Sequence, residues 1–157
     1  AAKNRFYKSN TDNELWPVDE IIKAVQRMTT SKTGAIILMQ RKTDLEQVIS
    51  SEKRLDALLS APLLESVFYK NAPLHDGAVL IVGNRIICAR GVVPVSESDD
   101  FPGELGMRHR AALGVAERTD ALVIIVSEQT GYLSIAEAGA IHMELTIEEL
   151  RTILSKG

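Results

Sequence analysis

Apolar and polar positions along the chain alternate between helical and strand-like periods. Behind Pro17 and Asp19, the residues Val18, Ile21, Ile22, Val25 and Met28 recur at helical spacing and predict an amphipathic helix over 18–30. Ala35 to Met39 is an unbroken apolar run, the pattern of a short buried strand. Leu45 to Ile49 reads as a weaker strand, and Asp56 to Leu59 as a helical turn. Pro62 suits a first helical position, and Leu63, Leu64, Val67 and Phe68 share one face of the helix it opens. Asn71-Ala72-Pro73 ends that helix.

The second half of the chain reads as hairpins around one more long helix. Ala78 to Val82 is apolar, Gly83-Asn84 is a two-residue turn signal, and Arg85 to Val93 continues as a strand, so a type II′ hairpin is expected. Ser96 to Pro102 is a polar acidic loop. Leu105, Ala112, Leu113 and Ala116 then mark a helix from about 105 to 118. Ala121 to Val126 is apolar on both faces and predicts a central strand. Gln129-Thr130-Gly131 turns the chain, Tyr132 to Ala136 returns as its antiparallel neighbour, and Ala140 to Leu145 supplies one more strand. Thr146 and Glu149 form a capping-box pattern ahead of Leu150, Ile153 and Leu154, so a short helix closes the chain. Mixed elements with at least two hairpins favour an α/β sandwich around a mixed sheet over a purely parallel one. Residues 1–16 read as a polar lead-in and 17–157 as a single domain.

Composition narrows the function classes. A charged fraction of 25% and a net charge of −3 do not give the basic surface that a nucleic-acid polymer requires, while one local cationic cluster still suffices for a small anion. The single cysteine, Cys88, excludes an intrachain disulfide, fits a reducing compartment and reads as a buried thiol. No apolar run is long enough to span a bilayer.

Three polar segments stand out as candidate chemistry. Gly103 to Arg110 opens the helix near 105, and a helix N-terminus is a ready anion site; Gly106 permits close approach, and Arg108 and Arg110 offer forked donors for phosphate. Adjacent residues do not share a helix face, so one of these arginines faces a ligand while the other meets a carboxylate or a second subunit. The competing reading is a solvated helix start. His75-Asp76-Gly77-Ala78 places a carboxylate and an imidazole at the start of a strand, where Asp76 can accept a hydroxyl proton or bind a divalent metal and His75 can ligate the metal through a neutral ring nitrogen. Plain turn chemistry competes with that. Ser127-Glu128 follows the central strand, suited to phosphate and metal or to an ordinary polar strand end. Asp99-Asp100 reads as an exposed acidic loop, and His142 and Trp16 as structural.

Taken together, Leu74-His-Asp-Gly-Ala78, Pro94-Val-Ser-Glu-Ser98, Glu104-Leu-Gly-Met-Arg-His-Arg-Ala-Ala-Leu-Gly114 and Val126-Ser-Glu-Gln-Thr-Gly131 resemble the diadenylate cyclase (DAC) domain. The resemblance runs from about Ile22 to Leu145 and is nearest to the CdaA branch, a cytoplasmic catalytic domain that follows membrane helices. It implies a mixed, twisted central sheet flanked by helices on both sides. It also implies condensation of two ATP into cyclic di-AMP with release of two pyrophosphates, between two subunits meeting face to face. In that family pattern Asp76 helps activate the ribose 3′-hydroxyl, Gly77, Ala78 and Val93 line the nucleotide, and Arg108 and His109 hold phosphates. Ser127 and Glu128 lie at the triphosphate or metal, and His75, Asp76 and Glu128 are the implied ligands of Mg²⁺ or Mn²⁺. Two positions depart from the pattern: Met107 stands where relatives carry threonine, and Val92 where an aromatic residue is common. Both bear on affinity and base selectivity, and both motivate the alternative of a nucleotide-binding regulatory module with reduced or lost turnover.

Overall fold

The structure, a computed structural model, describes residues 16–98 and 106–157. The lead-in at 1–15, the Asp99-Asp100 pair and the Gly103–Leu105 start of the cationic motif lie outside the described residues.

Seven strands form one sheet: β1 (Ala35–Met39), β2 (Lys53–Leu58), β3 (Ala78–Val82), β4 (Arg85–Gly91), β5 (Leu122–Val126), β6 (Leu133–Glu137) and β7 (Ala140–Leu145). Their spatial order is β2-β4-β3-β1-β5-β6-β7. Only β1 and β3 run parallel; every other neighbouring pair is antiparallel, so the sheet is mixed as expected. β1 and β5 sit at the centre and are buried along their whole length, which is why their sequences are continuous apolar runs rather than alternating ones. Gly83 turns the β3–β4 hairpin with φ of 58°, as a type II′ turn requires of its first central residue.

Four helices cover the sheet: α1 (Val18–Ser31), α2 (Ala61–Phe68), α3 (Met107–Arg118) and α4 (Ile147–Lys156). Period-two alternation divides the strand side chains between two cores. Ile37, Met39, Val79, Ile81, Leu122 and Ile124 face α1, α2 and α4. Ile36, Leu38, Leu80, Val123 and Ile125 face α3 and the Leu45–Ile49 segment. Helices therefore lie on both sides of the sheet. The α4 capping box forms as the sequence predicts, with the Glu149 N–H donating to Thr146 Oγ1 at 3.0 Å and the Thr146 N–H to Glu149 Oε1 at 2.9 Å. Trp16 joins the larger core beneath the Arg41 guanidinium, which lies 6.0 Å from its ring centroid. Among the described residues no helix is long and apolar enough to cross a membrane.

Two sequence expectations give way. The strand expected at Leu45–Ile49 is a 3₁₀ turn over Leu45–Gln47, because Asp44 caps it through the Glu46 N–H and buried Leu45 donates its own N–H to Gln40 Oε1. The helical turn expected at Asp56–Leu59 is instead part of outer strand β2. A bulge there places Asp56 at φ of 48° and breaks the alternation that marks a strand. At the far edge, β7 carries Glu144 at φ of 54°. His142 is exposed on that strand.

α3 approaches the sheet on small residues. Ala111, Ala112, Val115 and Ala116 are buried, and Gly114 presses on the segment after β4: a Cβ there would overlap the Pro94 carbonyl oxygen and lie 2.8 Å from its carbon and 3.0 Å from the Ser96 nitrogen. Ser96 itself is buried, donating its N–H to the Arg110 carbonyl at 3.0 Å and its hydroxyl to Glu117 Oε2 at 3.0 Å. His109 is 8% exposed on the same helix; burial, then the neighbouring Arg108 charge, lower its pKa below the ordinary imidazole value.

Two outcomes follow from this packing. Gly114→Ala should destabilise the fold by about 1–3 kcal/mol in urea unfolding, since the obstacle is backbone. His109 binds its proton less readily folded than unfolded, so its contribution is fully present above the unfolded pKa of about 6.5 and is lost as pH falls below it. Urea titrations at pH 7.5 and pH 5.5 should show a smaller acid-side loss in His109→Gln than in the parent chain.

Candidate functional site

The register of the three central strands gathers the candidate residues at one end of the sheet. Ile37 pairs with Val79 in the parallel β1–β3 ladder, and Ala35 with Val126 in the antiparallel β1–β5 ladder. These registers bring the start of β1, the start of β3 and the end of β5 to one end of the sheet, so that Gly34, the Asp76–Gly77 turn and Ser127 all lie at that end. β4 ends here too, because Gly91 pairs with Ala78. The alternation that sends Ile36, Leu38, Val123 and Ile125 toward α3 sends positions 34 and 127 to the same face.

α3 brings its first turn to this end. Its N-cap is Gly106, which has no side chain with which to cap the helix. Arg108 reaches across Gly34 and pairs with Glu128, Nη1 to Oε1 at 3.2 Å. Of the two candidate arginines, Arg108 is thus the one placed beside both the strand starts and Glu128; Arg110 is tied through its carbonyl to Ser96. Glu128 hangs from a tight turn in which Ser127 Oγ accepts the Gln129 and Thr130 N–H groups, both at 3.2 Å, and the Ser127 carbonyl accepts the Gly131 N–H at 2.9 Å. With its lone pairs engaged, the Ser127 hydroxyl keeps its proton to donate.

On the other flank Gly77 takes φ of 82°, and a Cβ there would stand 2.7 Å from the Gly91 carbonyl oxygen. Conformation and space both demand glycine, and the close approach leaves Asp76 projecting at the sheet end with its side chain 73% exposed. His75 Nδ1 lies 2.8 Å from the Ala72 carbonyl oxygen, so the proton belongs on that nitrogen. Its Nε2 then faces Asp76 Oδ1 at 3.1 Å. In the neutral ring these are two lone pairs pointing at each other, an arrangement relieved by a cation that both atoms hold. The nitrogen-plus-oxygen donor set suits a small divalent ion. Among the described residues there is no cluster of three metal-ligating side chains, and Glu128 is engaged with Arg108. Ala78 is fully buried; Val93 is partly buried on the α3 side. Val92 and Met107 project from the rim, 70% and 68% exposed.

The sequence drew attention to Asp76, Arg108 and Glu128 but not to Gly34, over which the Arg108 guanidinium lies. A glycine immediately before a fully buried strand was the available signal.

Comparison with known proteins identifies the family of the chain. The profile of the DAC family, described as DisA bacterial checkpoint controller nucleotide-binding, matches residues 22–141. The chain is 46% identical over 122 residues to diadenylate cyclase CdaS of Bacillus thuringiensis (strain BMB171), covering 78% of this chain and 61% of that protein. It is 44% identical over 137 residues to cyclic di-AMP synthase CdaA of Bacillus subtilis (strain 168), covering 87% of this chain and 50% of that protein. It thus spans between half and two thirds of these relatives. The crystal structure of a double-cysteine mutant of DacA from Staphylococcus aureus superposes with a TM-score of 0.86 at 37% identity, over 88% of this chain and 93% of that one. With a family profile covering most of its length and relatives of this similarity, the chain belongs to the DAC family.

Proposed function

We propose that this domain is a diadenylate cyclase, joining two ATP molecules into cyclic di-AMP and releasing two pyrophosphates. What supports the reading is that Asp76, the α3 start with Arg108, and the Ser127–Glu128 turn all lie at one end of three adjacent strands. Relatives named diadenylate cyclase and cyclic di-AMP synthase support the same chemistry.

Each half-reaction forms a bond from a ribose 3′-oxygen to an α-phosphorus and breaks the bond from that phosphorus to the β-phosphate bridging oxygen. The 3′-hydroxyl proton passes to the Asp76 carboxylate, which is exposed and so open to a second nucleotide. The pyrophosphate that leaves carries the charge to be stabilised. Arg108, the amides of the first α3 turn and the Ser127 hydroxyl are the donors for it. His109, held neutral by burial and by Arg108, acts as a hydrogen-bond donor rather than a cation. Gly77 and Val93 would border the nucleotide, with exposed Met107 beside it, while Ala78, fully buried, supports them from within the core. His75 and Asp76 would hold Mg²⁺ or Mn²⁺, with Glu128 offering its second carboxylate oxygen while Oε1 keeps Arg108 in place; the ion would supply charge neutralisation at the phosphates. One chain provides one donor site, so two copies facing each other supply both nucleotides, and proximity becomes the catalytic device.

Mass spectrometry of products from ATP with Mg²⁺ or Mn²⁺ tests the reading. Asp76→Asn should cut cyclic di-AMP formation by about a hundredfold or more while circular dichroism stays unchanged, the usual scale for losing a general base. Product from that variant at the parental rate would remove Asp76 from the mechanism, and ATP binding without product in the parent chain would mark a regulatory module instead. Specific activity should fall on dilution, because turnover requires two copies; a specific activity independent of protein concentration would contradict the two-copy arrangement.

A further inference from the structure

The glycine at position 34 has no conformational reason to be glycine. Positive φ values occur at Gly77, Gly83, Gly131, Gly139 and Gly157, and Gly34 is not among them. Its surroundings supply the reason. A Cβ built at Gly34 would stand 2.6 Å from Arg108 Nη2 and 2.8 Å from Nε, and closer still to Cζ, against the ~3.5–4.0 Å that carbon contacts normally keep. All three nearest atoms belong to one guanidinium and lie at similar distances, so the flat group rests broadside on the start of β1.

This differs from the other crowded glycines near the site. At Gly77 and Gly114 an added methyl would meet backbone, and at Gly91 it would meet the Ile49 side chain in the core, so there the fold itself resists. At Gly34 the obstacle is the tip of a flexible side chain, which can swing away without moving the chain that carries it. A methyl at 34 is therefore compatible with the fold and incompatible with the place Arg108 occupies.

We infer that Gly34 is a positioning residue for the nucleotide site: its bare backbone is the bed on which the Arg108 guanidinium lies flat, while Glu128 fixes the turn of the fork through Nη1. The two constraints act on different freedoms. Glu128 holds one nitrogen at 3.2 Å. Gly34 sets the height of the whole plane above the strand start, next to the Asp76–Gly77 turn. A guanidinium raised off that bed presents its donors to phosphate oxygens at the wrong level, and forked donors lose strength quickly when misaligned. The inference rests on the proposed role of Arg108 as a phosphate holder.

A double-mutant cycle read by calorimetry separates the two ideas. The probe is 3′-deoxy-ATP with Mg²⁺, which lacks the attacking hydroxyl and is not turned over. Gly34→Ala should weaken binding by about tenfold or more, the scale of one lost hydrogen bond to a charged group. In the Arg108→Ala background the same substitution should change affinity by less than about twofold, because interacting pairs are non-additive. The urea midpoint of Gly34→Ala should match that of the parent. Parental affinity in Gly34→Ala, the same fold-loss in both backgrounds, or an unfolded Gly34→Ala chain would each overturn the inference while leaving the proposed function standing. No binding by the parent chain would overturn the proposed function, and this inference with it.

Discussion

The pairing of β1 with β3 is the constraint from which the rest of the molecule follows. It is the one parallel pairing among the described strands, set between antiparallel partners on both sides. Parallel strands cannot be joined by a tight turn, so the chain between them must travel, and here it travels through β2 and α2 before returning. The consequence at the sheet end is geometric. Two parallel strands begin at the same level, and the antiparallel β5 beside them finishes there. An entry loop, a second entry loop and an exit loop thus stand next to one another. Were β1 antiparallel to β3, Asp76 and Gly34 would lie at opposite ends of the sheet.

Charge at that end is arranged by contact rather than by amount. The whole chain is mildly acidic, at −3. Locally, Arg108 is balanced by Glu128, and buried His109 is driven toward its neutral form, first by desolvation and then by Arg108. In the proposed reading an incoming polyanion would meet the Arg108 cation, the start of α3 at Gly106, which has no side chain, and a His109 ring whose pKa is lowered. The small residues on the buried face of α3 matter here as well. The alanines let the helix settle close to the sheet and Gly114 lets it settle against Pro94–Ser96, which carries its first turn within reach of β1.

Much of this was legible in the amino-acid sequence because it was written in long-period signals. α1, α3 and α4 show their apolar faces or their caps, and β1 and β5 are apolar throughout because both faces are covered. Asp76, Arg108 and Glu128 declared themselves as polar groups abutting strands and a helix start. β2 did not, since its inward side is only half-buried, at Leu55 and Ala57, and its bulge at Asp56 breaks the period. The 3₁₀ turn at Leu45–Gln47 was hidden for a different reason: it is held by side-chain acceptors, Asp44 and Gln40, rather than by any repeat. Gly34 was the hardest to read, because its partner lies 74 positions away on another element. No local pattern reports that a glycine is empty for the benefit of a distant arginine.

The interruptions of the two outer strands bear on how the molecule behaves in company. β2 is kinked at Asp56 and lined by Lys53 and Arg54; β7 is kinked at Glu144. An unbroken flank would offer a neighbour a straight row of amides and carbonyls, an open template for side-by-side addition. These flanks offer a broken and charged one. Crowded molecules are thereby discouraged from joining into ribbons, and the sheet keeps the width that its own chain gives it.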